Sequence, residues 1–157
     1  MNVAVAFDHR GVALRQRVLD VLYELGHTPV DLGTDQSERR IDYPDKALAV
    51  GEALRDGHAD RGILVCGSGV GAAIAACKFP GVRASICHDV YSAHQGVEHD
   101  DMNVLCLGSD VVGAELAADL VRTFLAARFD GGERYVQRLR KVELMERMGR
   151  DGEVTTA

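Results

Sequence analysis

Five short runs of Val, Ile, Leu and Ala punctuate the chain: Asn2–Phe7, Thr28–Leu32, Gly62–Cys66, Val82–Ile86 and Val104–Leu107. Their nearly continuous apolar character predicts strands buried on both faces of a sheet. Between the first two, Leu14, Val18, Val21, Leu22 and Leu25 recur at i, i+4, i+7, i+8 and i+11. Arg15, Arg17, Asp20 and Glu24 point elsewhere, and Gly26 supplies a stop. This is an amphipathic crossover helix. Further helices are predicted over Pro44–Arg55, Gly69–Lys78, Asp89–Glu98 and Val111–Ala127, the third short, buried and closed by Pro80-Gly81. Repeated β-α units of this kind predict a three-layer α/β/α sandwich around a five-stranded parallel, Rossmann-like sheet. After Gly131-Gly132 comes one more helix, Glu133–Met148, with Val136, Leu139, Val142 and Met145 at three-residue steps. A closed sandwich leaves such a helix little to cover, so we read it as an arm that docks on a partner subunit; the alternative is packing on its own sheet. Residues 1–150 are expected to form one domain and 151–157 a frayed tail.

Composition narrows the function classes. The 157 residues carry 18 Lys+Arg against 24 Asp+Glu, a net charge of −6, with 46% hydrophobic and 27% charged residues. That is the make-up of one ordinary globular domain. Net acidity argues against a nucleic-acid or anionic-membrane partner, so any anion site must be a local one. No window approaches a membrane span, and the first residues meet Asp8 too early for a signal peptide, which points to the cytoplasm. Cys66, Cys77, Cys87 and Cys106 lie 11, 10 and 19 residues apart without a Cys-x-x-Cys pair. This spacing predicts reduced thiols and no metal site. Three of the four sit in apolar runs as small hydrophobes; Cys66 does not.

Ligands of open parallel sheets bind beyond the carboxyl ends of the strands. Those ends hold Asp8-His9-Arg10-Gly11, Cys66-Gly67-Ser68-Gly69-Val70-Gly71 and His88-Asp89, and we expect His99-Asp100-Asp101-Met102-Asn103, just before the fifth strand, to join them on one rim. Three glycines opening a helix make a nest for phosphate or an oxyanion, and a helix start favours the thiolate of Cys66 as base or nucleophile. The competing reading of Cys66 is a buried structural residue. A phosphotyrosine-phosphatase loop is excluded because Ala72 stands where its arginine must be. Gly67-Ser68-Gly69-Val70-Gly71-Ala72 also fits a dinucleotide fingerprint, with Asp89 about 20 residues on, but it follows the third strand and no substrate domain remains. A Cys-His hydrolase built on Cys66 and His99 lacks an evident third member. A thiolate, an oxyanion nest, a histidine and carboxylates suit proton transfer between adjacent carbons of a sugar through an enediolate, with no metal or cofactor.

These residues carry a resemblance. Asp8-His9, Ser37 to Pro44 ending Asp42-Tyr43-Pro44, Gly62 to Gly71, Ala75-Ala76-Cys77-Lys78-Phe79, Tyr91-Ser92-Ala93, His99, Asn103-Val104-Leu105 and Gly131-Gly132 make the chain similar to the ribose-5-phosphate isomerase B and galactose-6-phosphate isomerase family. The resemblance implies a metal-independent aldose–ketose isomerase of a phosphorylated sugar, a homodimer or dimer of dimers with its site between subunits. D-ribose 5-phosphate is the substrate it favours, which would place the enzyme in the pentose phosphate pathway. It further implies Cys66 as the base shuttling a proton between C1 and C2. Ser68 and the amides of Gly67, Gly69, Val70 and Gly71 would hold the enediolate, and His99 would open the ring. Asp8, His9 and Tyr43 would line the sugar, and Arg134 and Arg138, four apart on one helix, would reach a neighbouring subunit's phosphate.

Two positions depart from the family pattern. Asp100 replaces a frequent asparagine after the histidine, and Gly108-Ser109-Asp110 stands where many members have a phosphate-contacting arginine. Both add negative charge beside the expected anion, opposing it unless paired with Arg134, Arg138 or Arg83, or, for Asp110, turned to solvent at a helix start. A different sugar phosphate, a shifted phosphate or an unphosphorylated sugar therefore stays open. So do a hexose or tetrose isomerase, a non-catalytic sugar-phosphate or nucleotide binding module, and a nicotinamide-dependent enzyme. His27, His58 and His94 are expected at the surface, and His88 is unassigned.

Overall fold

The structure is a computed structural model that describes residues 1–151. It runs β1 (Asn2–Phe7), α1 (Val12–Glu24), β2 (Thr28–Asp31), α2 (Tyr43–Arg55), β3 (Arg61–Cys66), α3 (Val70–Ala76), β4 (Ala84–Ile86), α4 (Val90–Asp100), β5 (Val104–Gly108), α5 (Ala114–Ala126) and α6 (Glu133–Asp151). All five strands are parallel in the order β2-β1-β3-β5-β4. Alternation along the strands divides the core. Val3, Val5 and Phe7 of β1 with Ile63 and Val65 of β3 meet α1, α4 and α5. Ala4, Ala6, Leu64 and Cys66 meet α2 and α3 on the other face. This is the predicted three-layer sandwich. No helix among the described residues is long and apolar enough to cross a membrane.

The departures lie at element ends and have local causes. The fifth helix begins at Ala114 and not Val111, because the N–H groups of Val111 and Val112 return to the Gly108 carbonyl and Asp110 N–H bonds to Gly67 O. The third helix is buried on one side only: Ala72 and Ala76 face the sheet, while Ile74 is 59% exposed. Cys77, expected to be a core residue, caps this helix and is exposed. The fourth helix runs on through His99 to Asp100. The last helix continues past Met148 to Asp151; the rest of the expected tail lies outside the described residues.

Strand order reverses between β1 and β3, and ligands of open parallel sheets bind at such a switch point, beyond the carboxyl ends. Phe7 pairs with Val65, so Asp8 and Cys66 emerge side by side. The turn between β1 and α1 packs so closely on β3 that a Cβ at Gly11 would stand 2.1 Å from the Val65 carbonyl oxygen. Backbone cannot yield as a side chain does, so Gly11→Ala should cost about 3 kcal/mol. Thermal unfolding checks this through a midpoint lowered by roughly 6–12 °C; an unchanged midpoint would refute the contact.

Candidate active site

At the carboxyl rim, buried Asp8 organises the first loop. Its Oδ1 accepts N–H bonds from Arg10 at 2.9 Å and Gly11 at 2.8 Å, and its own N–H donates to Val65 O at 3.1 Å. His9 Nδ1 accepts the Ile41 N–H at 3.3 Å, tying the segment before α2 to the first loop. Tyr43 opens α2 with its ring against Gly71, where a Cβ would lie 2.6 Å from Cζ. Cys66 ends β3, buried, its Sγ accepting the Gly69 N–H at 3.2 Å. Gly69 adopts φ 82°, a left-handed conformation that suits glycine and turns the chain into α3. Exposed Ser68 takes the Val70 N–H on its Oγ at 3.3 Å. Two of the amides expected in the cradle, those of Gly69 and Val70, are thus already engaged. Gly108 packs on the Ser68 backbone, and the Ser109 hydroxyl donates to Arg10 O at 3.0 Å and Cys66 O at 3.2 Å. Asp110 forms an ion pair with Arg10, not with Arg134, Arg138 or Arg83.

The remaining site residues stand elsewhere, contrary to the single rim expected from sequence. A residue just before a parallel strand lies at the amino end of the sheet, and Asn103 N–H bonds to Arg83 O there, ahead of β4 and β5. At about 3.3 Å per residue, the six-residue β3 alone separates the two ends by roughly 17 Å. His99 stacks on Tyr135 with ring centroids 4.4 Å apart. Its Nδ1 meets Gln95 Nε2 at 2.8 Å and its Nε2 the Tyr135 hydroxyl at 3.0 Å. Arg134 lies over the same tyrosine ring at 4.4 Å. Asp100 and Arg138 line a 1180 Å³ groove between α6, α4 and the outer edge of β4. One chain therefore holds two halves of the expected constellation at opposite ends of its sheet.

Three residues went unassigned in the sequence. Tyr135, which orients His99, is a buried residue of the last helix, while Val142 and Met145 of the apolar stripe are exposed. Arg10 was legible only as part of its loop. His88 lies at the carboxyl rim, its Nε2 accepting the Gly108 N–H at 3.0 Å, so it supports the turn that backs Ser68. Burial holds the His88 pKa below the ordinary histidine value, against the pull of Asp89. The unfolded chain then binds the proton first, so the penalty is absent well above about pH 6.5, grows as pH falls from there toward the lower folded-state value, and levels off below it. We expect the unfolding midpoint to drop between about pH 7.5 and about pH 5.5, and His88→Gln to remove part of that drop. His27, also lowered chiefly by burial, accounts for another part. An identical acid drop in the variant would exclude His88 as a cause.

Residues 3–142 match the family model described as Ribose/Galactose Isomerase. The chain belongs to this family. The ribose-5-phosphate isomerase B of Escherichia coli is 44% identical over 145 residues, 92% of this chain and 96% of that protein. A D-erythrulose-4-phosphate isomerase of Pectobacterium atrosepticum is 37% identical over 132 residues, 84% of this chain and 87% of that protein. Among solved structures, Clostridium thermocellum ribose-5-phosphate isomerase B aligns with a TM-score of 0.89 at 44% identity, covering 94% of this chain and 98% of that one. As a family member the protein is a sugar-phosphate isomerase of the ribose-5-phosphate isomerase B type, which agrees with the aldose–ketose chemistry read from its residues.

Proposed function

We propose that this isomerase interconverts D-ribose 5-phosphate and D-ribulose 5-phosphate, with Cys66 as the base and no metal. The observation that carries the reading is the buried Cys66 sulfur, held by the Gly69 N–H at the carboxyl end of β3 beside Asp8, in a chain this similar to ribose-5-phosphate isomerases B. The Cys66 thiolate removes the proton from C2 of the open-chain aldose, leaving an enediolate, and returns it to C1 while the hydroxyl proton of C2 passes to the C1 oxygen, which gives the ketose. Charge grows on the carbonyl oxygen during this step. The Ser68 hydroxyl and the free amides of the Gly67–Gly71 loop stabilise it, acting where the charge develops. Asp8, His9 and Tyr43 line the sugar. Ring opening needs a group that exchanges protons with the ring oxygen and the anomeric hydroxyl, and the His99 imidazole, with one ring nitrogen to donate and one to accept, is suited to that.

His99 cannot serve the Cys66 of its own chain across the length of the sheet. We therefore place the complete site between two copies, His99, Asp100, Arg134 and Arg138 coming from the second. Val70, Val90, Tyr91 and Val111, which follow the carboxyl ends of β3, β4 and β5, are all between 48% and 74% exposed and suit burial by that copy. Val142 and Met145 leave an apolar face on the arm itself. A homodimer is the simplest closed arrangement.

Proton NMR with D-ribose 5-phosphate in heavy water tests the reaction. We expect ribulose 5-phosphate to appear, with deuterium entering the carbon next to the carbonyl. A second reading, a tetrose phosphate substrate, is favoured by the similarity to erythrulose-4-phosphate isomerases. Faster exchange with D-erythrulose 4-phosphate in the same assay would select it. Binding without exchange for any sugar phosphate would instead mark a non-catalytic module.

A further inference from the structure

We propose that Arg10 is the residue of this subunit that contacts the substrate's phosphate, and that Asp110 is a positioning residue that holds its guanidinium over the catalytic loop. The inference rests on the sugar-phosphate reading above and adds to it the residue that selects for the phosphate.

The guanidinium is placed by two contacts. A Cβ on Gly67 would stand 2.9 Å from Arg10 Nε and 3.0 Å from Cζ and Nη1, so the group covers the face of the residue directly after Cys66. Its Nη2 pairs with Asp110, whose own N–H donates to Gly67 O at 2.9 Å. Below the guanidinium, the Arg10 backbone is tied down: Asp8 takes its N–H, and the Ser109 hydroxyl donates to its carbonyl. Only the side chain is left to move, on a pedestal shared with the Cys66 loop.

Chemistry assigns this head a task. A guanidinium carries five N–H donors in one plane, a fork that fits phosphate oxygens two at a time. Among the described residues, Asp110 is the one acceptor that meets it, and the side chain is 58% exposed, which leaves donors for a ligand. The rim also carries Asp8 and Asp110, in a chain of net charge −6, and a dianion entering there needs a cation at the point of contact. Asp110, which by itself would repel that dianion, is converted by the pair into a strut for the cation. The side chains of Arg10 and Asp110 are 58% and 49% exposed, so the pair adds little to folding and its loss leaves the protein intact.

The test uses full-length Arg10→Ala, Asp110→Ala and the double variant, with ribose 5-phosphate, erythrulose 4-phosphate and unphosphorylated ribose as substrates. Inorganic phosphate, titrated by phosphorus NMR, is the probe that needs no turnover. We expect Arg10→Ala to raise KM for the phosphorylated substrate by about 30-fold with kcat within about threefold, and to weaken phosphate binding at least about tenfold, as lost charge-assisted hydrogen bonds would. Unphosphorylated ribose should be handled equally by wild type and variant. Asp110→Ala should raise KM about fivefold in the wild-type background and not at all in Arg10→Ala, because it acts through Arg10. An unchanged KM in Arg10→Ala, an equal loss on phosphorylated and unphosphorylated sugar, or a KM lowered by Asp110→Ala in the wild-type background would overturn the proposal. If wild type turns over no sugar phosphate, the isomerase reading fails separately. Phosphate binding then still decides: dependence on Arg10 upholds the assignment, and independence overturns it.

Discussion

Cys66→Ala should lower kcat for ribose 5-phosphate by at least about 10³-fold, the upper part of the range for a positioned general base. Incorporation of deuterium next to the carbonyl should stop with it. The fold should survive, because alanine at this position removes only a sulfur. The side chain is buried at the end of β3 between Ala-rich packing and the loop, and the loss amounts to about one methylene-sized group and one weak hydrogen bond. That is a cost near 1 kcal/mol, or roughly 2–4 °C in the unfolding midpoint. Cys66→Ser offers the same shape with a hydroxyl that does not ionise in this range, and should be nearly as inactive. A variant that keeps a tenth of wild-type turnover would remove Cys66 from the role of base. A midpoint that collapses would show it to be structural.

Mixing two inactive variants should restore activity. If each site combines Cys66 of one copy with His99 of another, Cys66→Ala and His99→Ala are each deficient. A hybrid dimer, by contrast, contains one site with both residues intact and one with neither. Random reassociation of equal amounts makes half the dimers hybrid, so about a quarter of wild-type sites return. The two poles of one chain, roughly 17 Å apart along the sheet, are the reason to expect this. The measurement is turnover after partial denaturation and refolding of the mixture, against each variant refolded alone. No recovery, with hybrids shown to form by a mass tag, would place His99 outside the Cys66 site. His99→Ala alone should reduce kcat more for ring-closed ribose 5-phosphate than for erythrulose 4-phosphate, which cannot close a furanose through its phosphorylated terminal oxygen.

Much of the scaffold could be read from the chain because its physics is local. Continuous apolar runs mark strands covered on both faces, and the spacing of Leu14, Val18, Val21 and Leu22 marks the buried side of α1. The glycines of Gly67–Gly71 announce a close backbone approach, and the structure supplies the occupants: the Arg10 guanidinium over Gly67, the Tyr43 ring over Gly71 and a left-handed turn at Gly69. Neighbours in sequence stay neighbours in space, so the identity of the Cys66 loop needed no fold.

What only the tertiary structure decided are relations between distant segments. His99 sits close in sequence to β5, yet strand direction puts it at the amino end of the sheet, away from Cys66, and nothing in its local pattern encodes that. Asp110 reads by itself as a charge opposed to phosphate; its meaning changed once the fold set it against Arg10, 100 positions earlier. The apolar stripe of α6 likewise has a period but no address, and the fold left Val142 and Met145 uncovered while Tyr135 took the buried place against His99. Short-range patterning determines which segments become strands, helices and loops. Electrostatic sign and catalytic completeness depend on long-range pairing, which the chain acquires only when the sheet order is set.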